Sequence, residues 1–175
     1  MTSKAAAAAA AGDLRRPAGR LTSEEAWSLL AGTGVGRLVF SRQALPAVRL
    51  VAHVVTQDGA LVIRVRDEAV LGRGGVEAVV AYEADHVSSR ARAGWSVVVT
   101  GVAAREDDAD RAARYRGLLP LWDDGGGEDA ILRITPSMIT GRRLGPDGPR
   151  ERSAPGCRRA GAERERPSPG VRSAG

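Results

Sequence analysis

The tripeptide Gln57-Asp58-Gly59 stands between two segments rich in β-branched and apolar residues, 47–55 (AVRLVAHVV) and 61–65 (LVIRV). A connection this short joins antiparallel neighbours only, because a parallel crossover needs a dozen or more residues. It excludes a doubly wound parallel sheet, in which helical stretches of roughly 10–15 residues separate the strands. The other apolar segments keep the same short rhythm: 35–41 (VGRLVFS), 78–83 (AVVAYE), 95–103 (WSVVVTGVA), 130–135 (AILRIT) and a final 139–144 (ITGRRL). Together they predict six to seven mostly antiparallel strands.

Two short helices complete the pattern. At 21–32 (LTSEEAWSLLAG), Thr22 precedes Glu25 by three residues, a capping-box spacing, with Ala26, Leu29 and Leu30 on one face and Gly32 as the stop. At 107–116 (DDADRAARYR), acids fill the first turn and arginines the last, as the helix dipole prefers. The glycine-broken stretch 66–75 has room for one helical turn. The expected fold is mainly β, a small six- to seven-stranded antiparallel barrel with short helices on the outside. Its core must come from Val, Leu, Ile and Ala, because aromatics are only 3% of the chain: Phe40, Tyr82, Tyr115, Trp27, Trp95 and Trp122.

The chain divides into three parts. Residues 1–20 carry a seven-alanine run followed by Arg15-Arg16-Pro17 and read as a disordered leader; 21–144 are the barrel. Residues 145–175, rich in Arg, Gly and Pro, lack the apolar surface to offset their ordering entropy and read as a disordered tail. The net charge of +5 sits at that end: from Arg142 onward there are nine arginines against Asp147, Glu151, Glu163 and Glu165. The rest of the chain is neutral, so a nucleic-acid surface on the barrel is not expected. The single cysteine, Cys157, rules out an intrachain disulfide and fits a reducing, cytoplasmic setting. No apolar run approaches the ~18 residues that span a bilayer.

Few motifs carry chemistry. Gly32, Gly34 and Gly36 precede a strand and follow a helix, the reverse of a dinucleotide fingerprint. Two histidines, His53 and His86, are too few for a metal site at any recognisable spacing. Strand alternation puts Val48, Leu50, Ala52 and Val54 on one face of 47–55 and Arg49, Val51 and His53 on the other; Arg64 and Arg66 share a face of the next strand. Arg49, His53, Arg64 and Arg66 thus decorate two adjoining strands, either as a solvated sheet face or as an anion site in which guanidinium groups fork onto phosphate.

The order of segments, and above all GWSVVVTG at 94–101 and ITGRRL at 139–144, resembles the pyridoxamine 5'-phosphate oxidase-like family of FMN-binding split β-barrels, a Greek-key type of barrel. The small actinobacterial flavin-binding members are the most similar. The resemblance spans 21–144. It implies a homodimer with FMN at the subunit interface, or deazaflavin or haem in some relatives, and a redox reaction on a small molecule. The alternative is a non-catalytic dimer that binds a ligand as a sensor or store. By position, Arg49 and the backbone of Val51, Ala52 and His53 match the strand lining the flavin ring. Arg64 and Val65, with Arg66 on the same face as Arg64, match the strand reaching toward the phosphate. Ser96, after Trp95, matches a polar residue of the next strand, and Arg142 or Arg143 the basic residue near the C-terminus. The family's loop lysine falls on Val70 and an Asn common before His53 on Ala52, which leaves phosphate recognition to arginine. Of the titrating groups only His53 is a candidate for proton transfer, against an ordinary role as a packed strand residue.

Overall fold

Antiparallel pairing runs through the whole sheet in the computed structural model, which describes residues 18–66, 70–71, 76–122 and 128–145. The strands are β1 (Gly19–Arg20), β2 (Val35–Arg42), β3 (Leu45–Val55), β4 (Leu61–Arg66), β5 (Glu77–Ser88), β6 (Ala93–Arg105) and β7 (Asp129–Leu144). The helices are α1 (Ser23–Ala31) and α2 (Ala109–Leu118). The sheet order is β1-β7-β4-β3-β2-β5-β6, and β6 pairs again with β7, so the sheet curls into a ring. This is the expected split barrel.

Three boundaries differ from the sequence reading. Segments 130–135 and 139–144 are one sixteen-residue strand, β7, which pairs with β4 through its first half and with β6 along most of its length. Pro136-Ser137 reads as a breaker, yet the chain passes it where the β6 register shifts between Thr100 and Gly101, and a bulge is where a strand tolerates proline. Gly19 and Arg20, assigned to the leader, pair with Arg143 and Arg142 as β1. The strand expected at 78–83 runs on to Ser88, so His86 is an exposed residue of β5. The rest of the leader, the tail beyond Gly145 and most of 67–75 lie outside the described residues.

Local chemistry accounts for the elements. α1 has the full capping box: Thr22 Oγ1 accepts from the Glu25 amide at 3.2 Å, and Glu25 accepts from the Thr22 amide at 2.9 Å. Its buried Ala26 and Leu30 belong to the barrel core. The β2–β3 turn places both Gln43 (φ 51°) and Ala44 (φ 62°) in the left-handed region, the geometry of a type I′ hairpin but without its usual Asn-Gly. The core inside the ring is formed by Leu38, Phe40, Val51, Leu61, Ile63, Tyr82, Trp95, Val97, Val99, Leu132 and Ile134, among others. A smaller cluster outside it seats α2: Ala112 and Leu119 pack on Ala52, Val62 and Ile131. Among the described residues, no helix is long and apolar enough to cross a membrane.

Candidate functional site

β3 and β4 form one hairpin, yet their pairing covers only His53–Ile63, Val54–Val62 and Val55–Leu61. Both strands continue. β3 stays paired with β2 from Val35–Ala52 to Arg42–Leu45, and β4 stays paired with β7 as far as Arg66–Asp129. Beyond His53 the two strands therefore part, and among the described residues no ladder joins 49–52 to 64–66. This is the split of the barrel. Backbone N–H and C=O groups along such an edge can hydrogen-bond a ligand, as a sheet edge receives an added strand. Of the residues singled out from the sequence, Arg49, Val51, Ala52, His53, Arg64, Val65 and Arg66 border this cleft.

The side chains do not share one face. His53 pairs with Ile63, so it points into the barrel, with Val51 in the core and Arg49 half-buried on the same side of β3. Arg64 and Arg66 point outward, beside Ala52. The single anion face drawn from alternation is therefore corrected: each strand alternates as expected, but the register joins opposite faces. A one-residue difference in register is enough for this.

His53 is a structural pin. Its Nε2 lies 3.0 Å from the Leu30 carbonyl and its Nδ1 2.6 Å from the Tyr82 hydroxyl. A carbonyl only accepts, so Nε2 carries the proton and Nδ1 accepts from Tyr82. The rings meet edge to face with centroids 5.0 Å apart. The bond ties the end of α1 to β3 and β5. Burial pushes the His53 pKa below its ordinary value, against a smaller upward pull from the Leu30 carbonyl, and burial likewise raises that of Tyr82. The fold thus keeps His53 neutral, whereas the unfolded chain takes up a proton near pH 6.5. Stability should be fully present above about pH 6.5 and fall as the pH drops through and below it, by up to about 1.4 kcal/mol per unit. Urea midpoints across that range check this, and a His53→Gln variant should show a shallower loss.

Arg64 is committed elsewhere. Its Nε and Nη2 donate to Asp129 at 3.0 and 2.6 Å, and its Nη1 donates to the carbonyls of Arg116 and Leu119 at 2.9 and 3.0 Å. The guanidinium caps the end of α2 and holds the Asp129 carboxyl below the usual carboxylate range. A phosphate contact at this strand position would have to compete with those bonds. Replacing it with Ala should cost about 2–3 kcal/mol through loss of charge-assisted bonds. Urea unfolding measures this, with Arg42→Ala on the far hairpin as an unaffected control.

The remaining candidates lie farther round the ring. Trp95 is buried in the core and its Nε1 makes no hydrogen bond among the described residues, while Ser96 on the outer face donates to Glu83 at 2.9 Å. Arg142 pairs across the ladder with Ser96 and is exposed; Arg143 pairs with Trp95, is buried and meets Glu25 of α1 at 3.4 Å. Val70, at the family's lysine position, is buried at 4% exposure. Among the described residues no group of His, Cys, Asp or Glu could hold a metal ion. Sequence reasoning missed Tyr82, although an isolated tyrosine in an apolar strand was a signal for a buried hydroxyl seeking a partner.

A closed antiparallel ring opened between two strands defines a split β-barrel, the class to which this chain belongs. The model of the pyridoxamine 5'-phosphate oxidase family matches residues 22–143, and the chain is a member of that family. It is 43% identical over 129 residues to the uncharacterised protein Rv0080 of Mycobacterium tuberculosis, covering 71% of this chain and 84% of that protein. It is similar to the structure of an FAD-binding protein from Mycobacterium smegmatis, with 30% identity, a TM-score of 0.57, and coverage of 72% of this chain and 99% of the other. A conserved protein of unknown function from Corynebacterium diphtheriae has the same TM-score at 26% identity, over 74% of this chain and 99% of its own.

Proposed function

We propose that the protein is a cytoplasmic, homodimeric flavin-binding protein that holds FMN in the cleft between β3 and β4 and serves a redox reaction on a small molecule. The observation that carries this reading is the parting of the hairpin beyond His53, which leaves two strand edges facing each other along the segments the family resemblance assigns to the cofactor. The family itself and the 30% identity to an FAD-binding protein support it.

The residues at the cleft fit a flavin. Backbone groups alternate along a strand: the His53 amide bonds Gly34 on the β2 side, and Val65 pairs with Ala130 of β7. The amides and carbonyls that face the cleft are therefore those of Leu50, Ala52 and Arg64, and small Ala52 leaves room above β3. Arg66, half-buried on the outer face of β4, and Arg49, half-buried on the inner face of β3, border the cleft and are guanidinium groups suited to a phosphate. When bound, a flavin supplies hydride or electron transfer, and the chain supplies position and charge. His53 holds the β3 backbone in place from inside the barrel. It moves no proton, because both its ring nitrogens are occupied.

The outer faces of β2, β3, β5, β6 and β7 suit the second subunit. Val48, Leu50, Val79 and Met138 are exposed at 60, 56, 74 and 56%, beside the half-buried Val39, Ala81, Val98 and Thr100. An apolar sheet face of this kind marks an interface. Arg37 on this face is bound to Glu83 at 3.0 Å and to Asp85. Arg142 lies on the same face, so the partner subunit's Arg142 can approach the cofactor.

The absorption spectrum of the purified protein, followed by titration with FMN, FAD, riboflavin and a deazaflavin, tests the reading. FMN binding at least tenfold tighter than riboflavin is expected from one charge-assisted phosphate contact. A colourless protein that takes up none of the four would overturn it.

A further inference from the structure

A second concave site lies at the turn end of the β3–β4 hairpin, on the side of α2. It is a pocket of ≈ 520 Å³, within the range of small-molecule sites. One stripe of α2, Arg111, Arg114, Tyr115 and Leu118, forms one wall at the i, i+3, i+4, i+7 spacing; Val54 and the turn residues Thr56–Asp58 form the other, with Arg133 of β7.

The charges are unbalanced toward cations: three guanidinium groups against the one lining carboxylate, Asp58. Arg111 is held in place by Glu106 at 2.8 Å, whose side chain is 2% exposed, and Arg133 is held by Asp58. Two of the cations are thus positioned, each with N–H groups to spare from its five. Arg114 makes no hydrogen bond or ion pair among the described residues. Beside them, half-buried Tyr115 and Leu118, 60% exposed, present an apolar surface.

We infer that this pocket binds a small organic anion: a phosphate or carboxylate met by Arg114 and Arg133, on a flat apolar body laid against Tyr115 and Leu118. Guanidinium groups suit either oxyanion because their planar forks match its geometry. The inference does not depend on flavin, since the pocket lies at the opposite end of the hairpin from the cleft and needs no cofactor to form.

Calorimetric titration of the full chain with phenyl phosphate, benzoate and inorganic phosphate tests this. Phenyl phosphate or benzoate should bind in the millimolar range or tighter, the stronger of the two identifying the preferred oxyanion. Arg114→Ala and Arg133→Ala should each weaken that binding roughly tenfold. Leu118→Ala should weaken phenyl phosphate about threefold, as expected for lost apolar contact, and leave inorganic phosphate unchanged. Arg42→Ala removes the same charge far from the pocket and should change nothing. The proposal fails if the unmodified protein binds neither organic anion. It fails equally if Arg42→Ala costs as much as Arg114→Ala, since the attraction would then be diffuse charge and not a site.

Discussion

Replacing Gly36 with alanine is expected to destabilise the protein by about 3 kcal/mol or more, at the upper end of what overpacking a tight core costs. Gly36 is buried where β2 passes over Tyr82. A Cβ there would overlap the Tyr82 hydroxyl and the Glu83 carbonyl and stand 2.5 Å from Tyr82 Cζ. The Glu83 carbonyl is backbone and cannot turn aside. Tyr82 cannot retreat without giving up its 2.6 Å bond to His53, and His53 in turn holds the end of α1 through the Leu30 carbonyl. One methyl group therefore strains three elements. A Tyr82→Phe variant removes the hydroxyl but keeps the ring, leaves His53 Nδ1 unsatisfied and should cost about 1–3 kcal/mol. In that background Gly36→Ala should lose less than in the parent, because one of its clashes is gone. Urea unfolding of the four proteins measures the coupling; strictly additive losses would show that Tyr82 is not what forbids the methyl.

The second large effect concerns association. Leu50 and Val79 stand on the exposed apolar face of the sheet, and aspartate at both should convert the proposed dimer to a monomer. An unpaired carboxylate buried at an interface costs about 3 kcal/mol or more, so two on each subunit weaken association by well over a hundredfold. Each site is exposed in the single chain, so the monomer should keep its fold, with an unchanged circular dichroism spectrum. Flavin affinity should fall with the proposed dimer, whose second subunit would bring Arg142 to the cofactor. Sedimentation at micromolar concentration gives the answer. A parent chain that is already monomeric, or a double variant that stays dimeric, would refute the assignment of this face.

How far the sequence leads depends on the range of the interaction. The hairpin around Gln57-Asp58-Gly59, the Thr22–Glu25 capping box and the alternation within each strand are local, and each stands in the structure as read. What escaped involves pairing between distant segments. Alternation gives the two faces of β3 and the two faces of β4, but only the His53–Ile63 register says which of them join, and it joins His53 to the apolar face. Arg64 looks available until Asp129, 65 positions later, and the carbonyls ending α2 fold against it. Pro136 reads as a break because bulge geometry is set by the partner strand β6 and not by residues 130–144 themselves. The cleft was approached from resemblance alone, since nothing in the composition of 49–52 or 64–66 announces that two strands of one hairpin will part.

Hydrogen exchange of the backbone amides with and without saturating FMN tests most directly whether flavin binds where β3 and β4 part. Amides of Leu50, Ala52 and Arg64 should exchange more slowly once FMN is bound, because edge groups facing the cleft gain a partner. Amides of 61–63, already in the ladder, should change little by comparison. Protection that appears elsewhere while both cleft edges exchange as before would contradict the assignment.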